Sequence, residues 1–151
     1  MSAKTIFLIV ALLSIPVGLF AADDPFVGSW KLNVGKSKYN PGPPPANPSN
    51  VTLKFEPTAD GGMNVIINGR PRLEKYDGKP HPIAPEPGGP DAVSGKRINS
   101  NTVEIENWRM GKVVARLSRI VSKDGKTLTL KAKGTNAQGK PFDDVRVYDR
   151  Q

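Results

Sequence analysis

Arg119 is the residue of this chain whose position most directly suggests chemistry. On an extended strand it shares a face with Ala115, Leu117 and Val121, so alternation turns it toward an apolar interior. A buried guanidinium is costly unless it is paired, and a carboxylate is a suitable two-point partner. The pattern leaves two alternatives open: an inward Arg119 that holds a ligand carboxylate, or a β-bulge that turns Arg119 outward.

The other reactive side chains do not form a catalytic pattern. His81 is the single histidine and the chain has no cysteine, so a zinc or copper site of the usual kind cannot be built. His81 lies between two prolines without a nucleophile motif, which favours a loop histidine. Asp143 and Asp144 are consecutive and would point to opposite faces of a strand, which does not suit a cation site. The sequence therefore predicts no catalytic residue, no metal and no cofactor, and we interpret the protein as a non-enzyme.

The opening strand, 26–34, is the element around which these residues must be arranged. Its alternate positions Phe26, Gly28, Trp30 and Leu32 share one face, which is the period-two pattern of a half-buried β-strand. A glycine beside the indole on that face lets another backbone approach closely. This strand predicts a small barrel closed over its own interior.

The rest of the chain consists of short alternating segments separated by turn residues. With the opening strand, the predicted strands are 51–56, 63–68, 72–76, 93–98, 102–108, 112–121, 126–133 and 144–150. Two stretches, 40–48 and 80–90, each carry five prolines and are predicted to be surface loops. These features predict an all-β protein, an antiparallel up-and-down β-barrel of eight or nine strands, with a β-sandwich as the alternative.

The first 22 residues have the pattern of a secretory signal peptide. A lysine precedes an apolar run that is too short to span a bilayer, and Ala21 and Ala22 supply small residues for cleavage. We therefore expect an exported protein, periplasmic or extracellular, with residues 23–151 as a single domain. The formal charge of the whole chain is +8, and the basic residues are spread without long runs. This distribution argues against nucleic acid and leaves weak contact with an anionic membrane or polysaccharide surface.

Two short motifs at the chain ends resemble known lipid carriers. The stretch 24–32 resembles the opening of the intracellular fatty-acid-binding proteins, and Gly28-Ser29-Trp30 is similar to the Gly-x-Trp motif of lipocalins. The stretch 145–150 resembles the last strand of fatty-acid-binding proteins, in which an Arg-x-Tyr pair, here Arg146 and Tyr148, holds the ligand carboxylate. Lipocalins also stack an arginine across this tryptophan, which is a further role open to Arg119. The overall texture is similar to small exported bacterial lipocalin-like proteins.

This resemblance implies a calycin barrel that binds a small hydrophobic ligand, such as a fatty acid or another lipid-like molecule. The helical lid of the cytosolic family is not expected, because prolines fill the corresponding span 35–50. The residues expected to line the ligand site are Trp30, Leu53, Phe55, Val65, Ile67, Ile105, Leu117, Arg119, Leu130, Arg146 and Tyr148. An open cavity and a filled core fit the same apolar lining. If the core is filled, we expect a non-catalytic barrel that acts through its basic, proline-rich surface on envelope polymers or a protein partner. In both cases we expect a monomer.

Overall fold

A computed structural model describes residues 24–151, and the predicted signal peptide lies outside this described part. The strands are β1 Gly28–Lys38, β2 Thr52–Pro57, β3 Met63–Ile67, β4 Arg70–Glu74, β5 His81–Pro82, β6 Ala92–Asn99, β7 Thr102–Arg109, β8 Lys112–Val121, β9 Thr127–Thr135 and β10 Pro141–Arg150. One short 3-10 helix, Pro48–Asn50, precedes β2. Within residues 24–151, no helix is both long and apolar enough to cross a membrane.

The ten strands within residues 24–151 belong to one antiparallel sheet in the order β4-β3-β2-β1-β10-β9-β8-β7-β6-β5. The first and last long strands pair directly, for example Leu32 with Tyr148. The segment after β4 returns to β6 through the single bridge Asp77–Lys96, so the barrel is nearly closed at this seam. The all-β barrel prediction is confirmed, and the single continuous sheet excludes the sandwich alternative. The strand that the sequence did not predict is β5. It lies inside the predicted proline loop 80–90 and pairs with β6.

The opening strand has the role that its pattern predicted. Trp30 is completely buried, and its Nε1 donates a 2.9 Å hydrogen bond to the carbonyl of Phe26. Gly28 has a φ of +124°, and a Cβ there would lie 2.8 Å from an Arg150 Nη atom, so a side chain would be both strained and crowded. The strand begins at Gly28, not at Phe26, because the residues before it form a turn. In this turn the Val27 N–H donates a hydrogen bond to the Asp24 carbonyl.

The apolar core fills the barrel beside β1. It is formed by inward-facing residues of seven strands and one residue of the N-terminal turn: Phe26, Trp30, Leu32, Leu53, Phe55, Met63, Val65, Val103, Val121, Leu128, Leu130, Ala132 and Tyr148. Buried residues recur at every second position in β2, β3 and β9, which is the period-two pattern expected of a barrel wall.

The bounds of the fourth strand differ from prediction for a local reason. The fourth strand is Arg70–Glu74, not 72–76, because Asn68 and Gly69 both have positive φ and form a two-residue hairpin turn that pairs Ile67 with Arg70. The bulge considered for Arg119 lies elsewhere on β8. A register shift pairs Trp108 with Val113 while Asn107 pairs with Ala115, so alternation is restored before Arg119.

Candidate functional site

A charged group is enclosed at the centre of the barrel. Arg119 points inward and is 1% exposed, and Glu74 on β4 is 0% exposed. Their side chains form a two-point ion pair, with 2.6 Å from Nη1 to Oε2 and 3.1 Å from Nη2 to Oε1. The Arg119 guanidinium also lies 5.4 Å from the centroid of the Phe55 ring. The carboxylate that the sequence led us to expect from a ligand is therefore supplied here by the chain itself.

A second guanidinium, that of Arg72, binds the same carboxylate. Arg72 uses Nε, at 3.0 Å, and Nη2 to reach Oε1 of Glu74, and its Nη1 donates a 3.4 Å bond to Oδ1 of Asn107. A guanidinium has five N–H donors. Three of these are used, which leaves two for another acceptor. Arg72 and Arg119 share one carboxylate, so Arg72, Glu74 and Arg119, hereafter the buried triad, have a formal charge of +1.

The ionisation of Glu74 follows from these contacts. Burial by itself would raise the pKa of the Glu74 carboxyl, but the charges and hydrogen bonds of Arg119 and Arg72 outweigh it and hold this pKa below its usual value. Glu74 is therefore ionised at neutral pH. The neighbouring Tyr76 is affected in the opposite direction, because burial and then the charge of Glu74 raise the pKa of its phenol to about 12.

A cavity of about 730 Å³ opens beside Arg72, between the β3–β4 hairpin and the proline-rich segment 83–90. Its lining has apolar residues, two arginines, two asparagines and one carboxylate, that of Glu86, which pairs with Arg70. The lining residues are Ile67, Asn68, Arg70, Pro71, Arg72, Ile83, Ala84, Pro85, Glu86, Pro90 and Asn107. We refer to this as the mouth cavity. Its volume is within the range of about 300–1,000 Å³ that is usual for small-molecule sites.

The proline-rich segment is fastened over the mouth cavity by polar contacts at several points. Arg70 Nη1 lies 2.6 Å from Glu86 Oε1, and Arg109 Nη1 donates a 2.8 Å bond to the Gly88 carbonyl. Gly88 also lies against the β9–β10 turn, where an added Cβ would be 2.6 Å from the Cβ of Ala137. Prolines restrict the backbone of this segment, so it forms a preformed wall.

The predicted site residues lie on the inner side of the barrel, but most of them belong to the packed core. Those that are buried below a tenth of their surface are Trp30, Leu53, Phe55, Val65, Ile105, Arg119, Leu130 and Tyr148. Leu117 is half-buried and packs against the core. Ile67 alone among the predicted residues also lines the mouth cavity. The structure therefore brings most of these side chains together in a filled core.

Arg146 and Tyr148 both face inward, which leaves Val145 and Val147 on the outer face. Arg146 Nη2 lies 2.7 Å from Asp144 Oδ2, and its guanidinium is 5.8 Å from the centroid of the Tyr39 ring. In the described part of the chain, Arg146 Nε and the Tyr39 hydroxyl are buried without a hydrogen-bond partner. The role of Arg146 and Tyr148 in holding a carboxylate stays a prediction. Because Asp144 already balances its charge, this arginine carries no excess positive charge.

The arginine that stacks on the opening tryptophan is Arg150, not Arg119. Its guanidinium lies 4.1 Å from the Trp30 ring centroid. It also donates to the Val27 carbonyl at 2.8 Å, the Pro25 carbonyl at 2.6 Å and the Gly125 carbonyl. Arg150 thereby connects the C-terminal strand to the N-terminal turn. Its guanidinium donors are occupied by backbone carbonyl groups.

Sequence reasoning missed Glu74, Arg72 and Asn107. A signal was present in β4, where Arg72 and Glu74 share one face and Leu73 takes the other. Because apolar side chains are usually buried and charged ones exposed, Leu73 would be expected inside the barrel. Leu73 is instead 45% exposed, while Glu74 is fully buried. An inward charged pair on this strand could have been inferred only with Arg119 already placed as its partner.

Comparisons with known proteins give a fold likeness at low identity. No protein-family model and no curated protein matches the sequence. Among the solved structures, the chain is similar to As-p18, described as an extracellular fatty acid binding protein, with a TM-score of 0.49 and 16% identity over 85% of this chain and 97% of that chain.

Proposed function

We propose that this protein binds a small hydrophobic molecule with an anionic head group, in the mouth cavity and not in the barrel centre. The observation that carries the proposal is the excess positive charge of the buried triad, whose Arg72 borders a cavity with an apolar wall. A ligand carboxylate placed there would balance the charge. The protein would act as a carrier without catalysis.

The two parts of the mouth cavity suit the two parts of such a ligand. Ile67, Ile83 and Pro85 offer apolar surface to a hydrocarbon body. Arg72 is 12% exposed, so it reaches the cavity while it is largely shielded from water. A charge-assisted hydrogen bond in such a place is stronger than one at the open surface.

Two other inward arginines suit a ligand carboxylate less well. Both in-plane Nη groups of Arg119 are held by Glu74, and Arg146 is balanced by Asp144. Displacing Glu74 would leave an unpaired charge in a buried place, which costs several kcal/mol. Displacing Asp144 would break the existing ion pair of Arg146. Arg72 accepts a ligand without breaking an existing ion pair.

The place of action that we propose is outside the cytoplasm. The pattern of residues 1–22, with its apolar run and small residues before Asp23, supports export. We propose that the monomeric protein carries its ligand in the periplasm or the extracellular space.

Binding of a fluorescent fatty acid tests the proposal. The protein should enhance the fluorescence of cis-parinaric acid saturably, and the acid should bind about tenfold more tightly than its methyl ester, because only the acid has the charge that Arg72 recognises. Arg72→Met should reduce this preference to about twofold, since it leaves Glu74 and Arg119 as a neutral pair.

The matched control is Lys54→Met, which also removes one positive charge, from an exposed position on β2 paired with Glu56. The control should keep the preference for the acid. Equal affinity for acid and ester in the parent protein would contradict the proposed charge recognition. No fluorescence change with either probe would favour the alternative, a filled barrel that acts through its surface.

A further inference from the structure

A second concavity lies on the outer face of the barrel, away from the mouth cavity. Its volume is about 560 Å³, and it crosses β6, β7, β8, β9 and the start of β10. The floor is the backbone of four residues whose side chains face inward or, for glycine, are lacking: Gly95, Ile105, Leu117 and Ala132. We call this feature the outer trough.

Two rows of outward-facing side chains form the walls of the outer trough. Cross-strand pairing places one row in the order Lys96, Glu104, Ser118 and Lys131. The other row is Ser94, Glu106, Arg116, Lys133 and Asp143. The rows run perpendicular to the strands. Four interstrand steps of about 4.8 Å make the outer trough roughly 19 Å long, which suits an extended ligand.

Charges of both signs are mixed along the walls. The walls carry four cationic and three carboxylate side chains, with two serine hydroxyls among them. Arg116 and Glu106 pair at 3.0 Å, and Lys133 and Asp143 at 3.7 Å. The Ser94 hydroxyl lies 3.4 Å from the same Glu106 carboxylate, and it accepts a 3.0 Å bond from the Trp108 indole. These contacts link neighbouring side chains of one wall.

We infer that the outer trough binds a neutral oligosaccharide. A chain of hydroxyls offers both donors and acceptors along its length, which matches walls that carry ammonium and guanidinium donors together with carboxylate acceptors. A polyanion would be repelled by the carboxylates of Glu104, Glu106 and Asp143, and a polycation would be repelled by the four basic groups. A peptide could not add as a strand, because β7, β8 and β9 are already paired on both sides.

Titration calorimetry with short probes tests this inference. Cellotetraose and chitotetraose represent neutral oligosaccharides, tetragalacturonate represents a polyanion, and tetralysine represents a polycation. At least one neutral probe should bind saturably and more tightly than either charged probe. Decanoate in excess should not change this affinity, because the mouth cavity is a separate site.

The variant Arg116→Ala/Lys131→Ala should weaken binding of the neutral probe by about tenfold, because it removes one donor from each wall. The control Lys54→Ala/Lys31→Ala removes the same charge from exposed positions outside the outer trough, and should keep the affinity within about twofold of the parent. The inference is overturned if neither neutral probe binds, if a charged probe binds better, or if the Arg116/Lys131 variant binds as well as the parent.

Discussion

Arg119 and Glu74 form a two-point ion pair inside the barrel, with 2.6 Å and 3.1 Å between their paired atoms and with both side chains almost completely buried. The pair joins β8 to β4 across the interior, and β4 is the last strand on one side of the sheet. Arg72 binds the same carboxylate from the side of the mouth cavity. One glutamate thus connects the core, the edge of the barrel and the candidate ligand site.

Removal of the Glu74 charge should strongly destabilise the fold. Glu74→Gln would leave Arg72 and Arg119 without a counter-charge in the interior, and such a change costs about 3–5 kcal/mol of unfolding free energy. Urea denaturation measures this loss. Glu56→Gln, at an exposed carboxylate paired with Lys54, should cost far less, because water screens an exposed ion pair. Similar small losses in both variants would contradict the role assigned to Glu74.

Joint replacement of Arg119 and Glu74 by apolar residues should restore much of the stability lost in the single variants. Arg119→Met/Glu74→Leu removes both charges, and a buried ion pair can often be replaced by apolar side chains at little net cost. The double variant should be more stable than Glu74→Leu alone and less stable than the parent, because Arg72 still lacks its counter-charge. A double-mutant cycle in urea gives the coupling energy. Additive losses would show that the two residues do not act as a pair.

Acid should weaken the fold through Glu74. Its folded pKa is lower than the ordinary value of 4.5, so the unfolded chain takes up the proton more readily. The stabilisation is fully present above this ordinary value and is lost as the pH falls through the folded pKa. Thermal melting should therefore show a steep fall in Tm below about pH 4.5. In Glu74→Gln the acid slope should be shallower, and an unchanged slope would assign the acid transition to other carboxylates.

Alkaline pH should weaken the fold through its tyrosines. Burial raises the pKa of Tyr39, Tyr76 and Tyr148 above the ordinary value of 10.0, and that of Tyr76 to about 12. A raised phenol pKa gives stability that is present below the unfolded value and is lost as the pH rises toward the folded value. Phenolate absorbance near 295 nm should therefore rise late, above pH 10, and together with loss of structure. Reversible titration of a tyrosine near pH 10 in the folded protein would contradict this burial.

Arg150 should not be replaceable by lysine. Lysine keeps the charge but cannot make the planar stack on Trp30 while donating to the carbonyls of Pro25, Val27 and Gly125. Arg150→Lys should cost about 1–3 kcal/mol in urea denaturation. The control is Lys126→Arg, an exposed position on the same edge of the barrel. It should change the free energy of unfolding by less than about 0.5 kcal/mol.

The architecture could be predicted because it depends on local patterns. Alternation around Trp30 and the turn residues between the short segments are local features of the sequence, and both led to the correct all-β barrel. The buried triad could not be predicted in the same way, because Glu74 and Arg119 are 45 positions apart. Their contact depends on the curvature of the sheet, which cannot be deduced from the alternation along one strand.

The sequence also did not distinguish the residues of the filled core from those of the mouth cavity, because this distinction depends on contacts between distant segments. Phe55 and Ile67 have the same apolar character in the sequence, yet Phe55 packs in the core and Ile67 lines the mouth cavity. What distinguishes them is the segment around Ile83, whose prolines predict a surface loop without indicating the strand that it faces.

The central claim is that an anionic hydrophobic ligand binds beside Arg72 and leaves the core undisturbed. Two-dimensional NMR of the ¹⁵N-labelled protein during titration with decanoate tests it most directly. We predict saturable shifts of the amides of Ile67, Arg72, Ile83 and Asn107, and little change at Val103 and Leu128, which are completely buried. Shifts concentrated at the core amides, or no saturable shift at any amide, would contradict the account.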